Sequence, residues 1–387
     1  MYEDIIERND VGVVGEKSMF TFSFNFLDES VKNFSVTNMQ WSKTNADYML
    51  ATYATSDPTE KFQSKLLVWS MKNKLKATHV INCDKRITRA IFHPKNENII
   101  YVATYSGNII QYTITNDSAQ LIKNFNVGDS GEFHATPIFV LEVYFKDSNE
   151  YLISVSIDGK ICIWNTNFLF EPVVNKILEI PARKDSQRVK LQCIHAMTSS
   201  VLNPFTEDAA LALGTHDSLI MVYKISSLFF NTEEIVQNCV TTDNRGPICT
   251  ISGKYDPQNE FLQDLYITGS FDYDVQLWKI SEISSSLIKR FPIHNDYVVA
   301  VEWNPVHPAL FATCDCNGRF LIFDLLTNSS YYTFEGNAAP CSSMRWSPDG
   351  LKLAFGSLTG EVQIWQMRRK YIKHSEEKLK SLKYDLQ

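Results

Sequence analysis

His134, Ser156 and Asp158 are the residues whose types could do nucleophilic chemistry, because an imidazole, a hydroxyl and a carboxylate are the parts of an acyl-transfer triad. Their spacing points elsewhere. Asp158 stands two residues after Ser156 in Ser-Ile-Asp-Gly-Lys, so both fall on one tight turn, and the strand that follows ends on Trp164. A buried polar network whose members are all satisfied fixes turn geometry, and that is the structural reading of these residues. Other catalytic patterns are missing. There is no Gly-x-Ser-x-Gly elbow and no phosphate-cradling loop, and the 15 glycines form no rich run. The carboxylate pairs Glu233-Glu234 and Glu376-Glu377 read as solvated surface. Neither enzymatic activity nor a cofactor is expected.

The eight cysteines are scattered, and the close pair in Cys314-Asp315-Cys316 lacks the paired two-residue spacing of a zinc site. Cys162 lies inside a predicted strand and reads as a small buried apolar side chain. Free thiols of this kind suit a reducing cytosol. A net charge of −7 and a pI near 5.7 argue against a sequence-independent nucleic-acid binder, which needs a basic footprint. The first residues, MYEDIIERND, do not form a secretory signal, and no stretch of about 18 apolar residues exists to span a membrane.

The elements that must position these residues repeat. A short strand ends on an aromatic residue at Trp69, Tyr112, Trp164, Tyr223, Trp278, Phe323 and Trp365, at intervals of 43, 52, 59, 55, 45 and 42 residues. That period predicts four-stranded blades of a β-propeller, each unable to bury its own apolar face. The most regular strand lies in GSFDYDVQLWKI (269–280), where Val275, Leu277 and Ile280 mix with polar residues in near alternation. Gly107, Gly159, Gly318 and Gly360 mark the turns. First strands are expected at 36–42, 87–94, 137–145, 189–197, 247–255, 297–305 and 341–348.

The alternating phenylalanines of MFTFSFNF (19–26) are expected to complete the last blade and close the ring, removing an exposed edge. The organisation is thus an arm (1–18), a propeller (19–367) and a C-terminal helix or tail (368–387). In the last segment Tyr371, Ile372, Leu379, Leu382 and Leu386 could dock a helix on the propeller or a partner, or the segment is a solvated tail. Residues 181–190 form a basic loop. The residues opening the turns are Tyr105, Ile157, His216, Phe271, Cys316 and Leu358, expected to ring one mouth of the central channel. They are mostly apolar. They suit a protein-binding face, or each packs on its neighbouring blade.

The set His134, Ser156, Asp158 and Trp164 resembles the blade network of WD-repeat proteins. Other blades keep parts of it: Thr215, Asp217 and Tyr223; Ser270, Asp272 and Trp278; His294 with Asn317. The fold class is therefore all-β, a seven-bladed WD-repeat β-propeller closed by an N-terminal strand, with a short C-terminal helix. Within that class the stretch 293–325 is similar to a blade of cytoplasmic dynein intermediate chains. It carries Asp296-Tyr297-Val298, Trp303, Pro305 and His307-Pro308-Ala309-Leu310-Phe311. SIDGKICIW (156–164), GSFDYDVQLW (269–278), the turn at 105–107 and LLVWSMK (66–72) agree in order and spacing.

The resemblance covers roughly residues 35–367. It implies a non-catalytic motor subunit whose propeller binds the dynein heavy-chain tail, contacts other subunits indirectly, and resides in the cytoplasm on microtubules. No nucleic-acid or membrane partner is implied. Family members carry a long extension before the propeller for dynactin and light chains. This chain reaches its first propeller strand by about residue 19, so direct dynactin and light-chain binding have no positions to be carried onto. A WD adaptor of another complex, such as a ubiquitin-ligase substrate receptor or a chromatin scaffold, is the alternative.

Overall fold

Strand-length apolar runs separated by tight turns pair with their chain neighbours, and six of the seven sheets are built wholly from consecutive antiparallel hairpins. The computed structural model describes residues 19–372 except 58–59, 116–118, 126–132, 168–170, 180–194, 203–208, 230–236, 242–245, 255, 257–258, 260–261, 282–283 and 327–333, together with Leu379, Lys380 and Leu382. The arm 1–18, the loop 181–190, both glutamate pairs, Cys193 and Leu386 lie outside the described residues.

Seven four-stranded sheets form the blades. Naming the strands a to d, strand a runs Ser35–Trp41, Ile87–His93, Ile138–Lys146, Ala196–Leu202, Ile248–Gly253, Val298–Trp303 and Cys341–Trp346 in blades one to seven. The aromatic strand ends all lie in strand c: Ser64–Ser70, Ile109–Ile114, Lys160–Asn165, Leu219–Lys224, Val275–Ile280, Arg319–Asp324 and Val362–Met367. Strand a of blade four is described from Ala196, which shares a core cluster with Val155 of blade three, and residues 189–194 of its expected range lie outside the described residues.

The N-terminal strand β1 (Phe20–Phe26) pairs antiparallel with Val362–Met367 and supplies strand d of blade seven. Its phenylalanines do not share one face. A bulge at Ser23 shifts the register between Phe22 and Phe24, and a one-residue slip moves later side chains to the opposite face. Phe20 therefore packs with Phe320, Trp346 and Met367 towards blade six. Phe26 stacks on Trp69 of blade one, with ring centroids 4.7 Å apart. Phe22 is 52% exposed and meets Trp365 edge-on, while Phe26 is fully buried. The closing strand is thus a wedge with two working faces.

Strand a is the inner edge of each blade, and its N–H and C=O groups need partners. A bulge recurs near its start in all seven blades, at the third residue in blade one and the second in the others: Thr37, Thr88, Phe139, Met197, Cys249, Val299 and Ser342. These residues line a central cavity of about 370 Å³. Three of the bulged donors reach the next blade: Thr88 Oγ1 to the Ile138 carbonyl, Cys249 Sγ to that of Val298 at 3.0 Å, and Ser342 Oγ to that of Val36 at 2.6 Å; Thr37 Oγ1 instead donates within blade one, to the Thr52 carbonyl at 3.2 Å. Three residues further on, side chains accept N–H groups from the next blade. Gln40 accepts from Phe92 at 2.6 Å, Ser200 from Gly253 at 3.0 Å, Ser252 from Trp303 at 3.2 Å and Glu302 from Trp346 at 2.6 Å. Arg89 and Glu142 join blades two and three at 3.1 Å, and Ser199 of blade four donates to the same carboxylate at 3.0 Å.

Side-chain volume is matched across the same seams. In strand b of blades four, five and seven, glycine faces a β-branched residue of the next blade. An added Cβ at Gly214, Gly269 or Gly356 would stand 2.7, 2.6 and 2.5 Å from Ile248, Val298 and Val36 respectively. Gly269→Ala is expected to destabilise by about 1–3 kcal/mol through overpacking. Combined with Val298→Ala it should cost less than the sum of the single changes, which urea melts of a double-mutant cycle would measure. Phe26→Ala should cost about 3–5 kcal/mol and Phe22→Ala under about 1 kcal/mol in the same melts, because only the first empties a buried site.

Candidate functional site: the turn face

Blade three shows how the turns are built. Trp164 Nε1 donates to Ser154 Oγ at 2.9 Å, and Ser154 Oγ lies 2.7 Å from His134 Nε2. His134 Nδ1 lies 2.8 Å from Ser156 Oγ, and the Ser156 hydroxyl donates to Asp158 Oδ1. Burial pushes the His134 imidazole down to about 4, so the ring is neutral, one nitrogen donating and the other accepting. One proton order satisfies all members: indole to Ser154, Ser154 to imidazole, imidazole to Ser156, Ser156 to carboxylate. Burial alone would raise Asp158, but the Ser156 hydroxyl and the Lys160 N–H hold its carboxyl below the usual range. Ser156 is spent as a donor to Asp158, and His134 is 3% exposed. The chemistry of the group is turn fixation, not attack on a substrate. The sequence reading missed Ser154, the link between Trp164 and His134. Its place two residues before Ser156 on one strand face was the available signal.

Blade six repeats the design with other atoms. His294 Nδ1 contacts Asp315 Oδ2 at 3.2 Å and Nε2 contacts Thr313 Oγ1 at 2.8 Å. Asn317, the expected partner of His294, donates instead to Asp296 Oδ2 at 2.7 Å. Asp315 already occupies the place of Ser156, so its carboxylate reaches the imidazole directly. In both blades a cation ties the turn to the incoming chain, Lys160 to the Phe133 carbonyl at 2.9 Å and Arg319 to that of Ile293 at 2.8 Å. Blade five, the most regular in sequence, lacks the network among the described residues: the Thr268 hydroxyl and Trp278 Nε1 are buried there without a partner.

The six turn-opening residues share one geometry. The N–H of Tyr105, Ile157, His216, Phe271, Cys316 and Leu358 donates to Arg86, Pro137, His195, Pro247, Tyr297 and Pro340 respectively, the residues that lead into strand a, at 2.8–3.2 Å. They lie on one face, but Tyr105 alone among them lines the central cavity. The others stand outside the mouth. Ile157 and Cys316 are half-buried and His216 is exposed. Tyr105, Phe271 and Leu358 are 56%, 41% and 46% exposed. Two aromatics absent from the expected set join Phe271: its ring centroid lies 4.8 Å from that of Tyr297, which lies 5.6 Å from Tyr273. This cluster bridges blades five and six.

The stretch 293–325 contributes to the opposite side as well. Asn304 accepts N–H groups of Val306 and His307 at 2.9 and 2.8 Å and donates to the Gly350 carbonyl at 2.9 Å. Lys254 Nζ donates to the carbonyls of Asn304 and His307 at 3.0 and 2.9 Å, and burial lowers its amine to about 8. Leu379 and Leu382 are buried in the cluster of Trp303, Phe311 and Phe323. His307, Ala309, Leu310 and Phe311 are packing residues, at most 2% exposed. Cys162 is buried too, and burial lifts its thiol to about 12. No three metal-ligating side chains converge among the described residues, and none of their helices is long and apolar enough to cross a membrane.

His134 binds its proton less tightly in the fold than in the unfolded chain, so its contribution is whole above about pH 6.5 and is lost as pH falls towards 4. Between pH 7 and 5 wild type should lose about 2 kcal/mol relative to His134→Gln. The difference between the two proteins is the quantity to measure in urea melts, because Glu302 opposes it. Burial pushes that carboxyl up to about 7, so its contribution weakens as pH rises.

The WD domain, G-beta repeat model matches residues 131–165 and 328–366, which contain the blade-three network and most of blade seven. Over 373 residues the chain is 27% identical to the cytoplasmic dynein 1 intermediate chain of Drosophila melanogaster. The alignment covers 94% of this chain and 52% of that protein, so the chain spans about half the length of the curated relative it matches. With seven sheets closed by the N-terminal strand, the chain is a seven-bladed WD-repeat β-propeller similar to cytoplasmic dynein intermediate chains.

Proposed function

We propose that this chain is a non-catalytic intermediate-chain subunit of the cytoplasmic dynein motor, and that its turn face holds the tail of the heavy chain. The observation that carries the proposal is the similarity to a dynein intermediate chain, which runs through the whole propeller rather than through a few repeats. The exposed apolar residues of the turn face support it, since such patches on a folded chain mark contact surfaces. The Ser-His-Asp group is committed to holding a turn, which suits a scaffold. Nucleotide hydrolysis would belong to the heavy chain, and the subunit would act in the cytoplasm, on microtubules through the motor.

The test is a pull-down from cytosol of this chain, tagged at its C-terminus, with mass spectrometry. A dynein heavy chain in near-equal amount is expected. Recovery of ubiquitin-ligase or chromatin components without a heavy chain would overturn the proposal. Phe271→Asp and Tyr105→Asp should each weaken binding to a recombinant heavy-chain tail about tenfold with unchanged melting. Equal affinity in both variants would remove the turn face as the docking site while leaving the subunit assignment intact.

A further inference from the structure

The central cavity has a one-sided chemistry. The residue that follows the bulge of strand a also lines it in six of the seven blades, Arg89, Thr198 and Ser343 among them. Arg345, three residues past the bulge of blade seven, and Arg86, just before strand a of blade two, line it as well. Three guanidinium groups thus face a space of about 370 Å³, and no carboxylate lines it among the described residues.

The carboxylates that answer these cations stand behind the wall and have other work. Glu142 pairs with Arg89 at 3.1 Å and also takes the Ser199 hydroxyl at 3.0 Å. Glu302 accepts the Trp346 N–H at 2.6 Å and lies within electrostatic reach of Arg345. Two carboxylates against three guanidinium groups leave the site one positive charge in excess. Burial holds the Arg89 guanidinium below its ordinary value; Glu142 works against that shift and Arg345 adds to it, so the two cations feel each other. The donors are also largely unspent. Arg345 gives one N–H to the Met344 carbonyl at 3.0 Å, and Arg89 Nε is buried without an acceptor. The Arg86 guanidinium and the Thr198 and Ser343 hydroxyls make no hydrogen bond or ion pair among the described residues.

A recess lined by charge of one sign concentrates the opposite ion, and guanidinium forks match phosphate oxygens two at a time. A cavity of this volume takes a small molecule rather than a chain segment. We propose that the central cavity binds a small, multiply charged oxyanion of the phosphate class, held by Arg89 and Arg345 at its waist and by Arg86 at its exposed rim, with Thr198 and Ser343 as further donors. The bound anion links blade two to blade seven, the two neighbours of blade one, and so tightens the part of the ring where the chain closes. The site stands whether or not the turn face holds a heavy-chain tail.

The test titrates pyrophosphate and inorganic phosphate into the full chain by calorimetry at about 100 mM salt, with thermal melts in parallel. One pyrophosphate per chain is expected, bound at least about fivefold more tightly than inorganic phosphate, with a saturable rise in melting temperature because the ligand binds the native state alone. Arg345→Gln and Arg86→Gln should each weaken binding at least about fivefold, while Lys72→Gln, an exposed cation outside the cavity, should leave it unchanged. Arg86→Gln alters an exposed side chain, so it reports on the site even where Arg345→Gln melts low. Equal affinity for the two anions, lost in both arginine variants, also supports the site and identifies free phosphate as its occupant. Absence of saturable binding, binding that the arginine variants share with wild type, or an effect that sodium chloride reproduces at equal ionic strength overturns the proposal.

Discussion

The structure depends on the seams between blades. No blade can bury its own faces, and the inner edge of every sheet presents backbone donors and acceptors that a sheet edge leaves open. Both needs are met at strand a. The recurrent bulge turns one residue towards the channel, side chains of that strand take N–H groups from the following blade, and glycines admit the β-branched residues opposite. The seam between blades seven and one closes the circle, with Ser342 bonded to Val36 and Trp41 to the Arg345 carbonyl at 3.2 Å. A ring of this kind is rigid because each blade is held from both sides.

That rigidity frees the turns. The polar networks of blades three and six fix turn geometry from below, so the outer turn residues need not pack to be held in place. Phe271 and Tyr273, on the turn of blade five, which has no such network among the described residues, are placed instead by their ring contacts with Tyr297, and all three stay exposed. A preorganised aromatic surface loses little entropy on binding, which is the physical advantage of mounting a contact face on a propeller. The opposite side is spent differently. There Lys254, Asn304 and His307 knit blades five and six together. Trp303, Asn304 and the run from His307 to Phe311, within the stretch similar to dynein intermediate chains, are buried packing residues.

Much of the fold was legible because it is written in short-range chemistry. The seven aromatic strand ends, the four turn glycines and the closing phenylalanine strand are local signals, each set by strand period or by backbone sterics. The site was legible in part. His134, Ser156, Asp158 and Trp164 were recognisable by type and spacing, and Phe271 stood at a turn. Ser154 escaped because a serine within a strand has no pattern of its own. His294 was given the wrong partner because Asp315, inside the strand, was overlooked in favour of a turn residue.

The amino-acid sequence by itself determined the number of blades, the aromatic-ended third strand of each and the segment that closes the ring. Those follow from periodicity and from where only glycine turns easily. Tertiary structure alone decided that the bulge at Ser23 sends Phe20 and Phe26 to different blades, that glycine in one blade answers a β-branched residue in the next, and that Tyr273 and Tyr297 meet. These depend on register and on the approach of separate sheets, where a shift of one residue turns every side chain to the other face.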